Sequence, residues 1–128
     1  METQIVKIET GSTTLRFVIS WLESIGCALK NPTSKEISGY LSGKGKIVYT
    51  EEEFNLCMQE QNTGTVQLWY AESSDIFLSW DKNEVVLYFD GVEFEMRRKV
   101  LMCLVDKFTI PYESGSMLDW KMTTEYYQ

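Results

Sequence analysis

Two hydrophobic periods alternate along this chain and divide it into helical and extended segments. Residues 3–9, TQIVKIE, are rich in β-branched side chains and predict a first strand. Apolar side chains then recur three and four residues apart, which predicts a helix over about residues 13–25 that begins near Gly-Ser-Thr at 11–13 and ends at Gly26. The apolar positions of this helix are Leu15, Val18, Ile19, Leu22 and Ile25.

Residues 27–46 lack a sustained period and are punctuated by Pro32 and three glycines. They predict loops around one short helical piece near residues 34–41, followed by a short strand over residues 46–49. The GKGK at residues 43–46 lacks the Gly-x-x-x-x-Gly-Lys-Ser/Thr spacing that wraps a phosphate. We therefore interpret it as a solvated loop.

The stretch YTEEEFNLCMQEQ, residues 49–61, predicts a second helix that starts at the three glutamates. Thr50 is a good N-cap, and Glu53, three residues later, completes a capping box. Tyr49 and Phe54 have the spacing of a hydrophobic staple. Glutamates in a first turn also face the positive end of the helix dipole. The triplet at residues 51–53 thus has a structural explanation before any functional one.

In the middle of the chain the hydrophobic period changes from helical to two. Residues 65–72, 75–81 and 84–90 are rich in β-branched and aromatic side chains, and short turns separate them. They predict three strands of an antiparallel meander. Alternation places several aromatic side chains opposite the main apolar face, namely Trp69, Phe77 and Tyr88. A sheet with aromatic side chains on both faces either has both faces covered by other elements or presents one face to a partner.

A third helix is predicted over residues 92–108, and Pro111 is expected to prevent its continuation. Its predicted apolar face consists of Phe94, Leu101, Leu104, Val105 and Phe108. Residues 116–128 retain enough apolar side chains to dock as a last strand. Together the elements predict one α+β domain over residues 1–128, in which an antiparallel meander of about three to five strands packs with about three helices.

Acidic side chains are concentrated in one part of the sequence. The net charge is −7, yet residues 51–95 hold eleven Asp and Glu against one Lys, a net charge of −10. Residues 1–50 carry +2 and residues 96–128 carry +1. Binding to nucleic acid or to an anionic membrane needs a basic surface, so this distribution argues against both. It favours a basic protein partner.

The residue inventory argues against catalysis. The chain has no histidine, which removes the commonest general base and the commonest transition-metal ligand. The three cysteines are odd in number and widely spaced, which indicates neither a disulfide framework nor a metal site. We interpret two of them, Cys57 and Cys103, as buried reduced thiols. We expect no enzyme activity, no cofactor and no metal.

The N-terminal sequence METQIVKIET lacks the basic and long apolar regions of a secretory signal. Elsewhere no apolar run approaches the roughly 18 residues that span a bilayer. The expected location is the cytoplasm.

In overall character the chain resembles the small, acidic, cytoplasmic immunity proteins that bacteria pair with secreted nuclease toxins, including those of contact-dependent inhibition systems. The resemblance lies in size, in the acidic segment 51–95 and in aromatic side chains that stand beside acids. It implies an inhibitor that plugs or covers the active site of a toxin, with aromatic anchors and carboxylates that pair with Lys and Arg. The expected partner-binding residues are Glu51, Glu52, Trp69, Tyr70, Glu72, Asp75, Asp81, Glu84 and Asp90.

Two alternatives stay open at this point. Asp75, Asp81, Glu84 and Asp90 stand around turns and strand ends, where hard divalent cations accept carboxylate ligands. A metal-binding protein or carboxylate-based enzyme is therefore one alternative. The other is a structural or adaptor domain whose open sheet face binds a peptide or another subunit.

Overall fold

A computed structural model describes residues 3–9, 14–60, 63–114 and 121–127. Within these residues the chain forms a single-domain α+β fold of three helices and seven strands. In chain order the elements are β1 (Thr3–Glu9), α1 (Thr14–Glu23), β2 (Ile37–Leu41), β3 (Gly45–Tyr49), α2 (Glu51–Glu60), β4 (Gly64–Ala71), β5 (Ser74–Trp80), β6 (Glu84–Tyr88), α3 (Phe94–Ser114) and β7 (Lys121–Tyr127). The predicted helix start at residues 11–13 lies outside the described residues.

Five strands form one antiparallel sheet in the order β4-β5-β6-β1-β7. The meander predicted from the period-two segments is confirmed as β4, β5 and β6. The first strand of the chain joins it beside β6, and the last strand docks on the far side of β1. The predicted last strand is therefore confirmed as an edge strand.

One face of this sheet, here called the core face, is covered by the three helices. Its buried side chains are Val6, Ile8, Val66, Leu68, Ile76, Leu78, Trp80, Val85, Leu87 and Phe89. The predicted apolar positions of α1 pack against it, and α2 contributes Phe54, whose ring meets that of Trp80 edge-on at a centroid distance of 6.1 Å. Each fully buried large apolar side chain contributes roughly 1.5–3 kcal/mol of transfer free energy.

The opposite face of the sheet, here called the second face, carries a mixture of aromatic, polar and aliphatic side chains, and its aliphatic residues Ile5 and Val86 are buried. Strand register places Gln67, Phe77, Tyr88 and Ile5 in one row across four strands. Trp69 and Asp75 form the next row toward one end of the sheet. The predicted separation of Trp69, Phe77 and Tyr88 from the core face is thus confirmed.

The structure corrects the short helical piece predicted near residues 34–41, because β2 occupies residues 37–41. This strand pairs with β3 in antiparallel register, from Ile37 opposite Tyr49 to Leu41 opposite Gly45. Gly43 and Gly45 have φ angles of 82° and 74°, which glycine adopts without steric cost. The turn chemistry and the strand pairing together override the weak local helical pattern. The predicted strand over residues 46–49 is confirmed as β3.

The β2–β3 hairpin and the residues before it cover the β4 edge of the sheet. Ala28 and Trp69 exchange two backbone hydrogen bonds of 2.8 Å. Farther along β4, the Oγ1 of Thr65 accepts from the amide of Tyr40 at 2.8 Å and donates to the Tyr40 carbonyl at 2.6 Å. Gly39 permits this approach, because a Cβ there would lie 2.4 Å from the Thr65 carbonyl oxygen. The hairpin is therefore held against β4 by a side-chain hydroxyl.

The start of α2 has the predicted capping geometry. The Thr50 amide donates to Glu53 Oε1 at 2.8 Å, and the Glu53 amide donates to Thr50 Oγ1 at 3.1 Å. Tyr49 and Phe54 meet edge-on with ring centroids 5.4 Å apart. The capping box and the staple are both confirmed.

The third helix differs from its prediction in two respects. It continues through Pro111 to Ser114, so neither the lost amide donor nor the crowding of the proline ring against the preceding turn ends the helix there. Its buried face is Met96, Val100 and Leu104. Two side chains predicted to lie in that face, Phe94 and Val105, are 75% and 51% exposed. Two apolar stripes overlap in this sequence, and packing selects the stripe that runs at intervals of four residues.

Candidate functional site

A groove opens on the second face of the sheet, beside the β2–β3 hairpin. It has a volume of about 590 Å³ and is lined by Tyr40, Gln67, Asp75, Phe77, Tyr88 and Asp90. Four elements supply these residues, since β2 brings Tyr40 and the meander strands and their ends bring the rest. The hairpin on β4 therefore completes the groove by supplying Tyr40.

Three aromatic rings form one wall of the groove. Phe77 lies between the other two, with its ring centroid 6.4 Å from that of Tyr40 and 5.6 Å from that of Tyr88. The Tyr88 hydroxyl lies 3.2 Å from the Ser79 Oγ, within hydrogen-bond distance, which ties the end of this side chain to the sheet. Tyr40 is 48% exposed. The wall thus combines the ring of Tyr88, which is held by a polar contact, with the accessible ring of Tyr40.

Asp75 is held in place by a buried polar residue on the neighbouring strand. Gln67 is 8% exposed, accepts a hydrogen bond from Ser38 Oγ at 2.8 Å and donates to Asp75 Oδ2 at 3.1 Å. These two hydrogen bonds fix the side-chain amide of Gln67 and orient the carboxylate of Asp75. Asp75 is half-buried and therefore presents its charge with a restricted geometry.

Asp90 follows β6 and reaches the same groove from the other side. The ladder between β5 and β6 ends with the pair Phe77 and Tyr88, and Asp90 lies in the turn that follows β6. Asp75 and Asp90 both line the groove. The three ion pairs formed among the described residues join other groups, and none includes Asp75 or Asp90. The groove therefore contains two carboxylates that form no ion pair with a described cation.

Three more of the predicted partner-binding residues lie near this end of the sheet. Trp69 is the cross-strand neighbour of Asp75 on the second face. Its buried indole nitrogen meets no acceptor in the described part of the chain. Glu72 stands in the β4–β5 turn, where its carbonyl accepts from Asn31 Nδ2 at 3.0 Å. Tyr70 points to the helical side instead, and its hydroxyl accepts from the Glu93 amide at 3.4 Å.

Asp81 and Glu84 lie at the opposite end of the meander, here called the far end. Asp75 and Asp81 are separated by six residues of strand, or roughly 20 Å. The Asp81 Oδ1 accepts from the amides of Asn83 and Glu84 at 2.8 and 3.0 Å, which closes its own turn. The hollow beside this turn has a volume of about 220 Å³ and contains Trp80, which is 3% exposed.

Glu51 and Glu52 lie on α2, on the helix-covered side of the sheet. Glu51 forms an ion pair with Lys30 and lines a hollow of about 360 Å³ with Phe54. The hydrogen bond from Lys30 holds the pKa of the exposed Glu51 carboxyl below its ordinary value. The nine residues predicted to bind a partner thus divide among separate surfaces, and the groove contains Asp75 and Asp90.

Four groove residues, Tyr40, Gln67, Phe77 and Tyr88, were not among the predicted partner-binding residues. Gln67 offers the clearest signal in the sequence, because it is a polar residue between the apolar Val66 and Leu68 of a predicted strand. A polar side chain that becomes buried needs a hydrogen-bond partner, and here Ser38 and Asp75 supply it. Nothing in the local sequence indicates that Tyr40 reaches Phe77.

The cysteines have the character of structural thiols. Cys27 is buried in the core, while Cys57 and Cys103 are half-buried at its margin and so are less buried than predicted. Burial raises the pKa of the Cys27 thiol to about 11, and it also raises the pKa values of Cys57 and Cys103. A raised pKa keeps each thiol protonated at neutral pH and slows its reaction as a nucleophile.

The four carboxylates considered as metal ligands do not converge. Asp75 and Asp90 line the groove, whereas Asp81 and Glu84 line the far-end hollow. Across the described ranges, no three His, Cys, Asp or Glu side chains come close enough to share a metal ion. Within the same residues, no helix is both long and apolar enough to cross a membrane.

Comparison with known proteins identifies no relative. No protein-family model, no curated protein and no solved structure matches this chain. The function must therefore be argued from the groove itself.

Proposed function

We propose that this chain is a non-catalytic inhibitor that binds a basic, nuclease-like protein and covers its active site, in the manner of bacterial immunity proteins. One observation carries the proposal, namely the groove in which three aromatic rings stand beside two carboxylates on the second face. Aromatic anchors ringed by charge are typical of protein-protein interfaces.

Shape and charge have separate roles in the proposed complex. The aromatic rings of Tyr40, Phe77 and Tyr88 exclude water from the contact and supply most of its binding free energy. Asp75 and Asp90 select a cationic partner, and the net charge of −7 speeds the encounter with it. The active site of a nuclease must attract phosphate and is therefore basic, so it is a surface of complementary charge.

The proposal is tested by purifying the chain together with the product of the neighbouring gene. The expected result is a stable complex whose dissociation constant rises several-fold between 50 mM and 500 mM salt, because screening weakens exposed charge pairs. The nuclease activity of the partner is measured with and without the chain, and stoichiometric loss of activity is expected. A neighbouring gene product that neither binds the chain nor loses activity in its presence would overturn the proposal.

A further inference from the structure

The groove offers two kinds of recognition to the same ligand. Its carboxylates, Asp75 and Asp90, attract a positive charge, and its rings present π faces, which also attract cations. A hard metal ion uses six or more oxygen ligands and gains little from an aromatic wall. The combination of rings and carboxylates therefore matches an organic cation.

We infer that the groove holds one arginine side chain of the basic partner, with its guanidinium against the rings of Phe77 and Tyr88 and hydrogen-bonded to Asp75 and Asp90. This inference rests on the proposed function, because it names the anchor of that same complex. Arginine fits better than lysine for two reasons. A guanidinium is planar, so it stacks on an aromatic ring, and its five donors can bridge two carboxylates.

The groove is built for this ligand before binding. Gln67 already orients Asp75, and the Ser79–Tyr88 contact already sets the ring against which the guanidinium would lie. A site that is organised in advance loses less conformational entropy on binding. Lys46, the cross-strand neighbour of Tyr40, forms an ion pair with Glu36 at 3.4 Å. Lys7, on β1, forms an ion pair with Glu125 at 3.2 Å. Both lysines are therefore engaged with other carboxylates.

The inference can be tested without the partner. The full chain, labelled with ¹⁵N, is titrated with N-acetyl-arginine amide and, separately, with N-acetyl-lysine amide while its NMR spectrum is recorded. The arginine derivative is expected to bind with a dissociation constant on the order of 1 mM, given its size, and to shift the signals of Phe77 and Tyr88. The lysine derivative is expected to bind about threefold more weakly or worse.

Substitutions locate the binding within the groove. Asp75→Asn and Asp90→Asn should each weaken arginine binding about three- to fivefold, as loss of an exposed charge pair does. The control Glu52→Gln removes one exposed charge from α2 and should leave the affinity unchanged. Tyr88→Leu should weaken binding about two- to fivefold. Ser79→Ala removes the same hydroxyl contact while keeping the ring, and it should have a smaller effect.

The outcomes separate this inference from the proposed function. Equal binding of the two derivatives, shifts confined to α2, or unchanged affinity in Asp75→Asn and Asp90→Asn would overturn the arginine site. If the neighbouring gene product still binds both variants as tightly as the wild type, the function stands and the anchor is elsewhere. If arginine binds the groove but no partner forms a complex, the site stands and the inhibitor function fails.

Discussion

The two ends of the meander carry the same kind of side chain and use it in different ways. At the groove end, Asp75 and Asp90 lie beside three aromatic rings. At the far end, Asp81 accepts hydrogen bonds from two backbone amides of its own turn, and its neighbour Trp80 is buried in the core. An acid that closes its own turn is a structural residue, whereas an acid beside accessible rings is available to a partner. The acidic segment of the sequence is thus not one functional surface.

The largest expected effect comes from two glycines that hold the two ends in place. A Cβ at Gly39 would lie 2.4 Å from the Thr65 carbonyl oxygen, and a Cβ at Gly64 would lie 2.5 Å from the Trp80 ring. Gly39→Ala and Gly64→Ala should each lower the free energy of unfolding by about 2 kcal/mol, because both overpack a close contact. Urea unfolding of the two variants measures this loss.

The same two variants should differ in ligand binding. Gly39→Ala pushes the hairpin away from β4 and moves Tyr40 from its place beside Phe77. The cation–π contacts with Phe77 and Tyr88 are then less shielded from water, so the affinity for N-acetyl-arginine amide should fall about two- to fivefold. Gly64→Ala disturbs the far end and should keep its affinity within about twofold of the wild type. Equal losses in both variants would show that the groove depends on global stability and not on the position of the hairpin.

A second pair of variants compares the charges of the two ends directly. The double variant Asp75→Asn, Asp90→Asn should weaken the complex with the basic partner about tenfold. The reason is that each ion pair between one of these carboxylates and the partner contributes up to about 1 kcal/mol. The double variant Asp81→Asn, Glu84→Gln removes the same amount of charge from the far end. It should weaken the complex less than about threefold. Isothermal calorimetry at low salt gives both values. A larger loss from the far-end pair would reverse the assignment of the docking surface.

Local chemistry in the sequence predicts several parts of this fold. Thr50 and Glu53 specify the start of α2 by spacing alone, because each satisfies the amide of the other. The strands of the meander follow from their period and their short turns. Both features depend on neighbours in the sequence, so no tertiary information is needed.

Features that depend on distant packing could not be predicted in the same way. The sequence of α3 contains two overlapping apolar stripes, and only contact with the core selects Met96 and Val100 over Phe94. The groove needs Tyr40 beside Phe77, which follows from the bond between the hairpin backbone and the Thr65 hydroxyl. No local pattern encodes that contact.

The structural role of Asp81 can be separated from the surface role of Asp90 by their effects on stability. Asp81→Ala removes an acceptor for two backbone amides and should lower the free energy of unfolding by about 1 kcal/mol. Asp90→Ala, an exposed position, should change it by less than about 0.5 kcal/mol. Thermal or urea unfolding checks both. Equal losses would indicate that Asp90 also supports its turn.

The smallest expected effect concerns Glu53, whose carboxylate, like that of Asp81, accepts a hydrogen bond from a nearby backbone amide. The hydrogen bond from the Thr50 amide holds the pKa of the Glu53 carboxyl below its ordinary value. A depressed pKa means that the ionised carboxylate stabilises the fold above the unfolded value of about 4.3, and that this contribution is lost as the pH falls through the folded value. Glu53→Gln should therefore lose less stability than the wild type between pH 6 and pH 3 in urea unfolding. The control is Glu52→Gln, which removes a charge from the same turn. If its free energy of unfolding depended on pH as weakly as that of Glu53→Gln, the effect would come from the helix dipole and not from the capping box.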